Sequence, residues 1–293
     1  MKSQQNLALL FACIGVVIFA LSLPATRYLT ASLSFMDIGL SRGLIAAVIS
    51  AFVLLIMRQS LPSLRQCLLL LCTSSGITFG FPILTALGME TVPVSHGAVI
   101  LGGLSLATAA AGTLFSQERP SVGFWLVSVL GLVIIVIFAI TQHGGLELAL
   151  YWGDLALLGA VLSAGVCYAL GGRLAKEIGG WQVICWTMLL ASPLTLLWAS
   201  FSINWQALYQ MDAIGWGVLI FLSSMCTLVG FFFWFGAMAI GGIARIAQIQ
   251  YAQPFLSALF SIWLLNEEFS LNSMMFMVAI VAVIALSRKM TIR

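Results

Sequence analysis

Ten long apolar stretches follow one another along the chain, and the rare charged residues mark the connections between them. A helix that crosses the hydrocarbon core of a membrane needs roughly 20 mostly apolar residues. Only 7% of the residues are charged and 62% are hydrophobic, whereas soluble domains carry about 25% charged residues. The sequence therefore predicts an all-α integral membrane protein with these transmembrane spans: Leu7–Leu23, Ile38–Met57, Cys67–Leu87, Pro93–Phe115, Val122–Ile140, Leu155–Gly172, Val183–Phe201, Ile214–Gly236, Ile243–Leu265 and Leu271–Leu286.

The connections between these spans are short, so they leave no room for a soluble catalytic or nucleotide-binding domain. Any function must therefore lie inside the membrane. An intramembrane metalloprotease would need a His-Glu-x-x-His pair, and the two histidines, His96 and His143, are far apart. We therefore expect no enzymatic activity and no catalytic residues.

The basic residues predict the orientation, because cytoplasmic loops of membrane proteins hold Lys and Arg in excess. With the N-terminus inside, the outer loops hold only Arg27, and Arg42 falls within the second span. We expect both termini on the cytoplasmic side of a bacterial inner membrane. The cytoplasmic set is then Lys2, Arg58, Arg65, Arg119, Arg173, Lys176, Arg245, Arg288, Lys289 and Arg293.

The six cysteines are scattered through apolar spans and do not cluster in outer loops. This pattern is typical of buried free thiols, and no spacing resembles a zinc site. We expect neither disulfide, metal nor cofactor. The formal charge of +3 reflects basic residues at the cytoplasmic face and does not indicate nucleic-acid binding.

An offset of about 150 residues aligns several features of the two halves of the chain. Gly80-Phe81 falls on Gly230-Phe231, and Glu118 falls on Glu268. Five spans per half is an odd number, so the second half must enter the membrane from the opposite side, as in transporters with inverted repeats. We predict two five-helix repeats, over residues 1–145 and 146–293, and expect Glu118 and Glu268 to cap the helices that follow them.

At these motifs the chain resembles the drug/metabolite transporter superfamily, and within it the ten-span proteins with two EamA domains. The segment 40–46, Leu-Ser-Arg-Gly-Leu-Ile-Ala, looks like the second-span arginine motif of that family. The segment 251–259 is similar to its ninth-span pattern, with Gln253-Pro254 where the family usually has Glu-Pro. The resemblance implies alternating access around a chamber formed by spans 1, 3, 4, 6, 8 and 9.

Polar side chains are concentrated at the start of the ninth span. At 100° per residue, Arg245, Gln248 and Tyr251 share one arc of the helix, and Gln250 and Gln253 occupy another. The amides either join neighbouring helices by hydrogen bonds or line a cavity and bind substrate. We take Gln248, Tyr251 and Gln253 as candidate substrate-binding residues and Arg245 as a candidate gating or coupling residue.

The start of the fourth span is polar as well, with Glu90 before the span and His96 within it. In an inverted arrangement this cluster lies at the opposite membrane face, which suits two gates around one chamber. Glu90 is a candidate gating or coupling residue. His96, with an ordinary pKa of about 6.5, either contacts substrate and couples protons or is a neutral structural histidine.

Three more residues inside the spans are candidates. Arg42 either reaches the membrane surface, pairs with Asp37 or Glu90, or attracts an anionic substrate, and we assign it to gating or coupling. Tyr168 and Trp234 lie deep in the sixth and eighth spans, where their OH and NH groups need polar partners. The resemblance places these two spans around the chamber, so both residues are candidates for substrate binding.

The function we expect is transport of a small metabolite, amino-acid-like or amphipathic, by a monomer or homodimer, with export as the expected direction. The expected partners are a small-molecule substrate and the lipid bilayer, not nucleic acid. A lipid or polyprenyl-linked flippase stays open as the alternative, since the same fold could support it.

Overall fold

A computed structural model of the protein describes residues 2–89, 100–116, 118–143, 152–265, 271–290 and 292. These residues form helices, together with a single isolated β-bridge between Pro120 and Ile292. The α-helices in chain order, α1 to α14, are Lys2–Leu29, Phe35–Ile56, Leu64–Ser74, Phe81–Met89, Leu104–Ser116, Val122–His143, Trp152–Ile178, Gly180–Ser202, Trp205–Gln210, Ala213–Phe221, Gly230–Gly241, Ile243–Ala247, Gln253–Leu265 and Leu271–Lys289.

Within this part of the chain, six helical segments are long and apolar enough to cross a membrane. They are Ser3–Thr26, Phe35–Ile56, Leu64–Thr85, Trp152–Ile178, Gly180–Ser202 and Ala213–Gly241. Three shorter apolar helices cover Ile100–Ser116, Val122–Phe138 and Met275–Ser287. The prediction of an all-helical, multi-pass membrane protein is confirmed, and these segments fall on predicted spans one to eight and ten.

The ninth predicted span is not one regular helix. It consists of the short α12, a 3₁₀ segment Gln248–Ala252, and α13. Pro254 lacks a backbone N–H and clashes with the carbonyl four residues earlier, which is that of Gln250. The tighter turn ends two residues before this proline and contains Gln248 and Gln250.

Two π-helical segments interrupt the third and eighth predicted spans. The first π segment, Ser75–Gly80, joins α3 to α4, and the second, Leu222–Val229, joins α10 to α11. The first ends at Gly80 and the second directly before Gly230, the glycines that the 150-residue offset aligns. A π segment adds a residue to the helical turn and is frequent at functional sites.

The principal helix pairs join the first part of the chain to the second. Helix α1 packs on α11 and α13, α2 packs on α8, and α4 and α5 pack on α7. The largest apolar core lies where α1, α7 and α11 meet. Large apolar side chains on the outer faces of α2 and α8, such as Phe52, Leu55 and Leu197, are exposed, as expected of surfaces that face lipid.

Candidate functional site

Four aromatic rings from three helices meet at the centre of this core. Phe19 of α1 lies 4.9 Å from Phe231 and 6.0 Å from Trp234, both of α11, between ring centroids. Tyr168 of α7 approaches the same two rings edge-on, at 5.4 Å and 6.4 Å. Phe19, Tyr168, Phe231 and Trp234 are all buried, and we call them the aromatic cluster.

Arg42 reaches from α2 to the edge of the aromatic cluster. Its Nε donates a hydrogen bond of 2.5 Å to Oγ1 of Thr227 in the second π segment. The guanidinium also lies near Tyr168 and Cys226. The arginine therefore links the second span to the sixth and eighth, at the level of the irregular helical turn.

Within the described ranges, no carboxylate lies within 4.0 Å of the Arg42 guanidinium. Asp37, one of the two partners that the sequence suggests, forms a capping box with Ser34 and accepts a 2.8 Å hydrogen bond from the backbone N–H of Asn204. The pairing of Arg42 with Asp37 is therefore wrong, because the carboxylate is used to hold the start of α2. An ionisable residue inside a membrane is costly and marks a candidate functional site, and Glu90, the other suggested partner of Arg42, lies outside the described residues.

Trp234 adds a second donor at the aromatic cluster. Its side chain has no exposed surface, and its indole Nε1–H has no hydrogen-bond acceptor among the residues that the structure describes. Buried polar groups are normally paired, so this indole N–H, on a ring that packs against Tyr168, is a candidate donor to a ligand.

Gln248 and Tyr251, two buried polar residues of the 3₁₀ segment, differ in their hydrogen bonds. Gln248 is fully buried, and neither its amide nitrogen nor its amide oxygen has a partner in the described part of the chain. Tyr251, also fully buried, donates a 2.8 Å hydrogen bond to the backbone oxygen of Ser128 and lies against Gly131 of α6. Tyr251 thus has a structural hydrogen bond, whereas the Gln248 amide has none among the described residues.

Gln253 is half-buried at the start of α13, and its side-chain oxygen accepts a 3.5 Å hydrogen bond from the amide nitrogen of Gln250. Ile249 packs in the same apolar core as the aromatic cluster, whereas Tyr251 packs with Phe255 in a second, smaller core. The structure therefore brings together Arg42, Tyr168 and Trp234. The substrate-binding roles of Gln248, Tyr251 and Gln253 stay predictions.

Glu118 caps a helix other than the one we expected. Its two carboxylate oxygens accept hydrogen bonds of 2.7 and 2.8 Å from the backbone N–H groups of Ile243 and Ala244, at the start of α12. The N-cap of α12 is Gly242, which has no side chain to cap the helix, whereas Ser121 supplies a local acceptor at the start of α6. The carboxylate therefore joins the end of the fourth predicted span to the start of the ninth.

Arg245 follows in the same short helix. Its side chain is half-buried, and its Nε has no partner within the described part of the chain. Glu90 and His96, and with them the predicted second gate, lie outside the described residues, as does Glu268.

The candidate site also contains three residues that sequence reasoning missed: Phe19, Thr227 and Phe231. Phenylalanine is uninformative within apolar spans, and Thr227 is one of many hydroxyl residues in them. The one available signal is the alignment of Gly230-Phe231 with Gly80-Phe81, which marks the helical turn beside the cluster.

The model of the EamA-like transporter family matches this chain twice, over residues 6–140 and 151–288. The chain belongs to the EamA-like transporter family. It is 36% identical over 278 residues to an uncharacterized transporter, YdeK, of Bacillus subtilis (strain 168), a match that covers 94% of this chain and 95% of the relative. A solved crystal structure shares its fold, with a TM-score of 0.76 at 15% identity over 98% of this chain and 96% of the other.

Family membership and the apolar helices together identify a multi-pass membrane transporter. The predicted resemblance to EamA-domain proteins is confirmed. In this transporter the aromatic cluster and Arg42 form the candidate substrate site.

Proposed function

We propose that this EamA-family transporter exports a small metabolite that carries a carboxylate or another anionic group and an apolar part. The observation that carries the proposal is the Arg42 guanidinium, which lies beside the aromatic cluster and has no carboxylate partner in the described ranges. An anion on the substrate would balance this charge, and the rings would bind its apolar part. Amino-acid-like and amphipathic compounds fit this description.

The proposed mechanism is alternating access by two inverted five-helix halves, residues 1–145 and 146–293, with ten spans in all. Two observations support the repeat: the family model matches the chain twice, and the first π segment ends at Gly80 while the second ends directly before Gly230, the glycine that the 150-residue offset aligns with Gly80. Rocking of the halves would separate the rings of α1 from those of α7 and α11. Arg245, Glu90 and His96 are proposed as gating or coupling residues.

The proposed location is the bacterial inner membrane, with both termini cytoplasmic. Several contacts bring basic chain segments to one end of the molecule. Gln5, Arg245 and Lys289 line one pocket, Glu118 ties the segment before Arg119 to α12, and Arg65 pairs with Glu177 at the end of α7. An excess of Lys and Arg at one end favours the cytoplasmic side.

The first experiment compares metabolites released by cells with and without the protein, in a screen that covers amino acids and other organic acids. We expect one class of anionic, partly apolar compounds to accumulate outside the cells that express the transporter. If no compound differs between the two cell types, in either direction, the transport proposal fails.

The second experiment tests the site with Arg42→Gln. A hydrogen bond to a charged group contributes about 1.5–3 kcal/mol, so we expect transport of the identified compound to fall about tenfold or more. Arg42→Lys, which keeps the charge, should retain part of the activity. Arg65→Gln is the matched control, because Arg65 is exposed and pairs with Glu177; equal transport by Arg42→Gln and this control at equal expression would exclude the assigned site.

A further inference from the structure

An open pocket lies between the first and last helices of the chain, away from the aromatic cluster. Its volume is about 340 Å³, and its lining comes from the beginning of α1, the short α12 with the 3₁₀ segment, and the end of α14. We call it the terminal cleft; its lining includes Gln5, Leu9, Arg245, Ile249 and Lys289. None of the candidate substrate-binding residues lines the terminal cleft.

Two cations define the chemistry of the terminal cleft. Arg245 is half-buried, and its Nε has no hydrogen-bond partner in the described part of the chain. Lys289 is exposed in the last turn of α14. Among the described residues, no carboxylate lies within 4.0 Å of either cation; Glu118, which is near Arg245 in the fold, is held by the backbone N–H groups of Ile243 and Ala244.

Below the cations the terminal cleft is apolar. Ala8, Leu9, Ile246, Ile249 and Ala285 complete much of its lining. The flanking surfaces of α1 and α14 expose Leu10 and Leu286, which is the character of surfaces that contact acyl chains. A ligand that fits has an anionic head beside Arg245 and Lys289 and an apolar tail along α1 and α14.

We propose that the terminal cleft binds the phosphate headgroup of an anionic phospholipid such as phosphatidylglycerol. Basic pockets between transmembrane helices near a membrane surface are suited to lipid phosphates. Gln5, a neutral amide, can donate a hydrogen bond to the phosphate or accept one from the glycerol hydroxyl. A soluble anion would use the same cations but would gain nothing from the apolar lining.

The test uses the full-length transporter, purified in a non-ionic detergent and titrated with phosphatidylglycerol or with phosphatidylcholine of the same acyl chains. Native mass spectrometry counts the lipids that stay bound. Because two cations lie beside one phosphate, we expect phosphatidylglycerol to bind about 10- to 30-fold more tightly than phosphatidylcholine. The variant Arg245→Gln with Lys289→Gln should lose this preference, and Arg245→Lys with Lys289→Arg, which keeps both charges, should retain it.

The chain offers a matched control at the end of α7. Arg173 is half-buried and Lys176 is exposed, as Arg245 and Lys289 are, but neither lines the terminal cleft. Arg173→Gln with Lys176→Gln removes the same charge and should leave the lipid preference unchanged. Equal loss in both double variants would mean a general surface-charge effect and would overturn the proposal.

A second arm separates a lipid from a free phosphate ester. Glycerol 3-phosphate, which has the headgroup charge but no acyl chains, should not displace bound phosphatidylglycerol when present at the same concentration. If it does, the terminal cleft is an entrance for soluble anions and the lipid proposal is wrong. Neither readout requires transport, so the result is independent of whether the protein exports the proposed metabolite.

Discussion

At the scale of single residues, the candidate site is marked by buried polar groups that lack hydrogen-bond partners within the described part of the chain. Arg42 has only a hydroxyl partner, and Trp234 and Gln248 have no side-chain partner among the described residues. A buried donor or acceptor left without a partner costs about 1–3 kcal/mol. These groups are therefore where we expect a polar part of the substrate to bind.

Gln248 allows this argument to be tested by stability and activity together. Gln248→Met replaces a fully buried, unpaired amide with an apolar side chain of similar length. We expect the free energy of unfolding to rise by about 1–3 kcal/mol, measured by thermal unfolding in detergent, while transport falls. A stable variant with full transport would show that Gln248 does not serve the substrate.

Tyr251→Phe is the matched control for Gln248→Met, since both residues are fully buried in the same 3₁₀ segment. The Tyr251 hydroxyl donates a hydrogen bond to the backbone of Ser128. Its removal should lower the free energy of unfolding by about 0.5–1.5 kcal/mol. The two substitutions therefore have opposite expected signs, and equal signs would contradict the assignment of the two side chains.

At the scale of helices, Glu118 determines how α12 begins. Glu118→Ala removes the acceptors of two backbone N–H groups and a charge that favours the helix N-terminus. We expect a loss of about 1–2 kcal/mol in the free energy of unfolding, and a smaller loss for Glu118→Gln. Glu177→Gln, which breaks only the exposed pair with Arg65, should cost at most about 1 kcal/mol; a loss as large as that of Glu118→Ala would contradict the capping role.

Glycines at helix contacts give a second prediction at this scale. A Cβ added to Gly76 would lie 2.6 Å from the backbone oxygen of Ser163 and would also meet Cys167, whereas a Cβ added to Gly39 would meet nothing within 4 Å. Gly76→Ala should therefore destabilise the protein by about 1–3 kcal/mol. Gly39→Ala should stabilise it by about 0.5–1 kcal/mol. Thermal unfolding of the two variants measures the contrast, and equal midpoints would contradict it.

The sequence predicted the helices well because charged residues cannot lie freely in hydrocarbon and so mark where the helices end. It could not predict the π segments, since a mixture of apolar and hydroxyl residues such as that in Leu222–Val229 is equally compatible with an α-helical and a π-helical turn. It also assigned Glu118 to the following helix, because the choice between two N-termini depends on a contact between residues 125 positions apart. Tyr168 and Trp234 were predictable from their polar atoms, and Phe19 was not.

At the scale of the whole molecule, the contacts assign chain segments to two ends. One end has Gln5, Arg245 and Lys289 around the terminal cleft. Another pocket brings Tyr28, Ser32, Gln210 and Asp212 together, and Tyr28 is near the far end of the helix α1 that begins near Gln5. A helix long enough to cross the membrane separates the two groups, so we expect them to face opposite sides.

Single cysteines at these positions test the arrangement and, with it, the inverted halves. A membrane-impermeant thiol reagent should label Gln5→Cys and Lys289→Cys in inverted vesicles but not in intact cells. It should label Ser32→Cys and Gln210→Cys in intact cells but not in inverted vesicles. The parent protein, whose six cysteines are in apolar spans, gives the background labelling. Two halves of five spans cross the membrane ten times, an even number, so both ends of the chain must lie on the same side. Labelling of Gln5→Cys and Lys289→Cys from opposite sides would therefore exclude the ten-span arrangement, and labelling of both from the outside would reverse the proposed orientation.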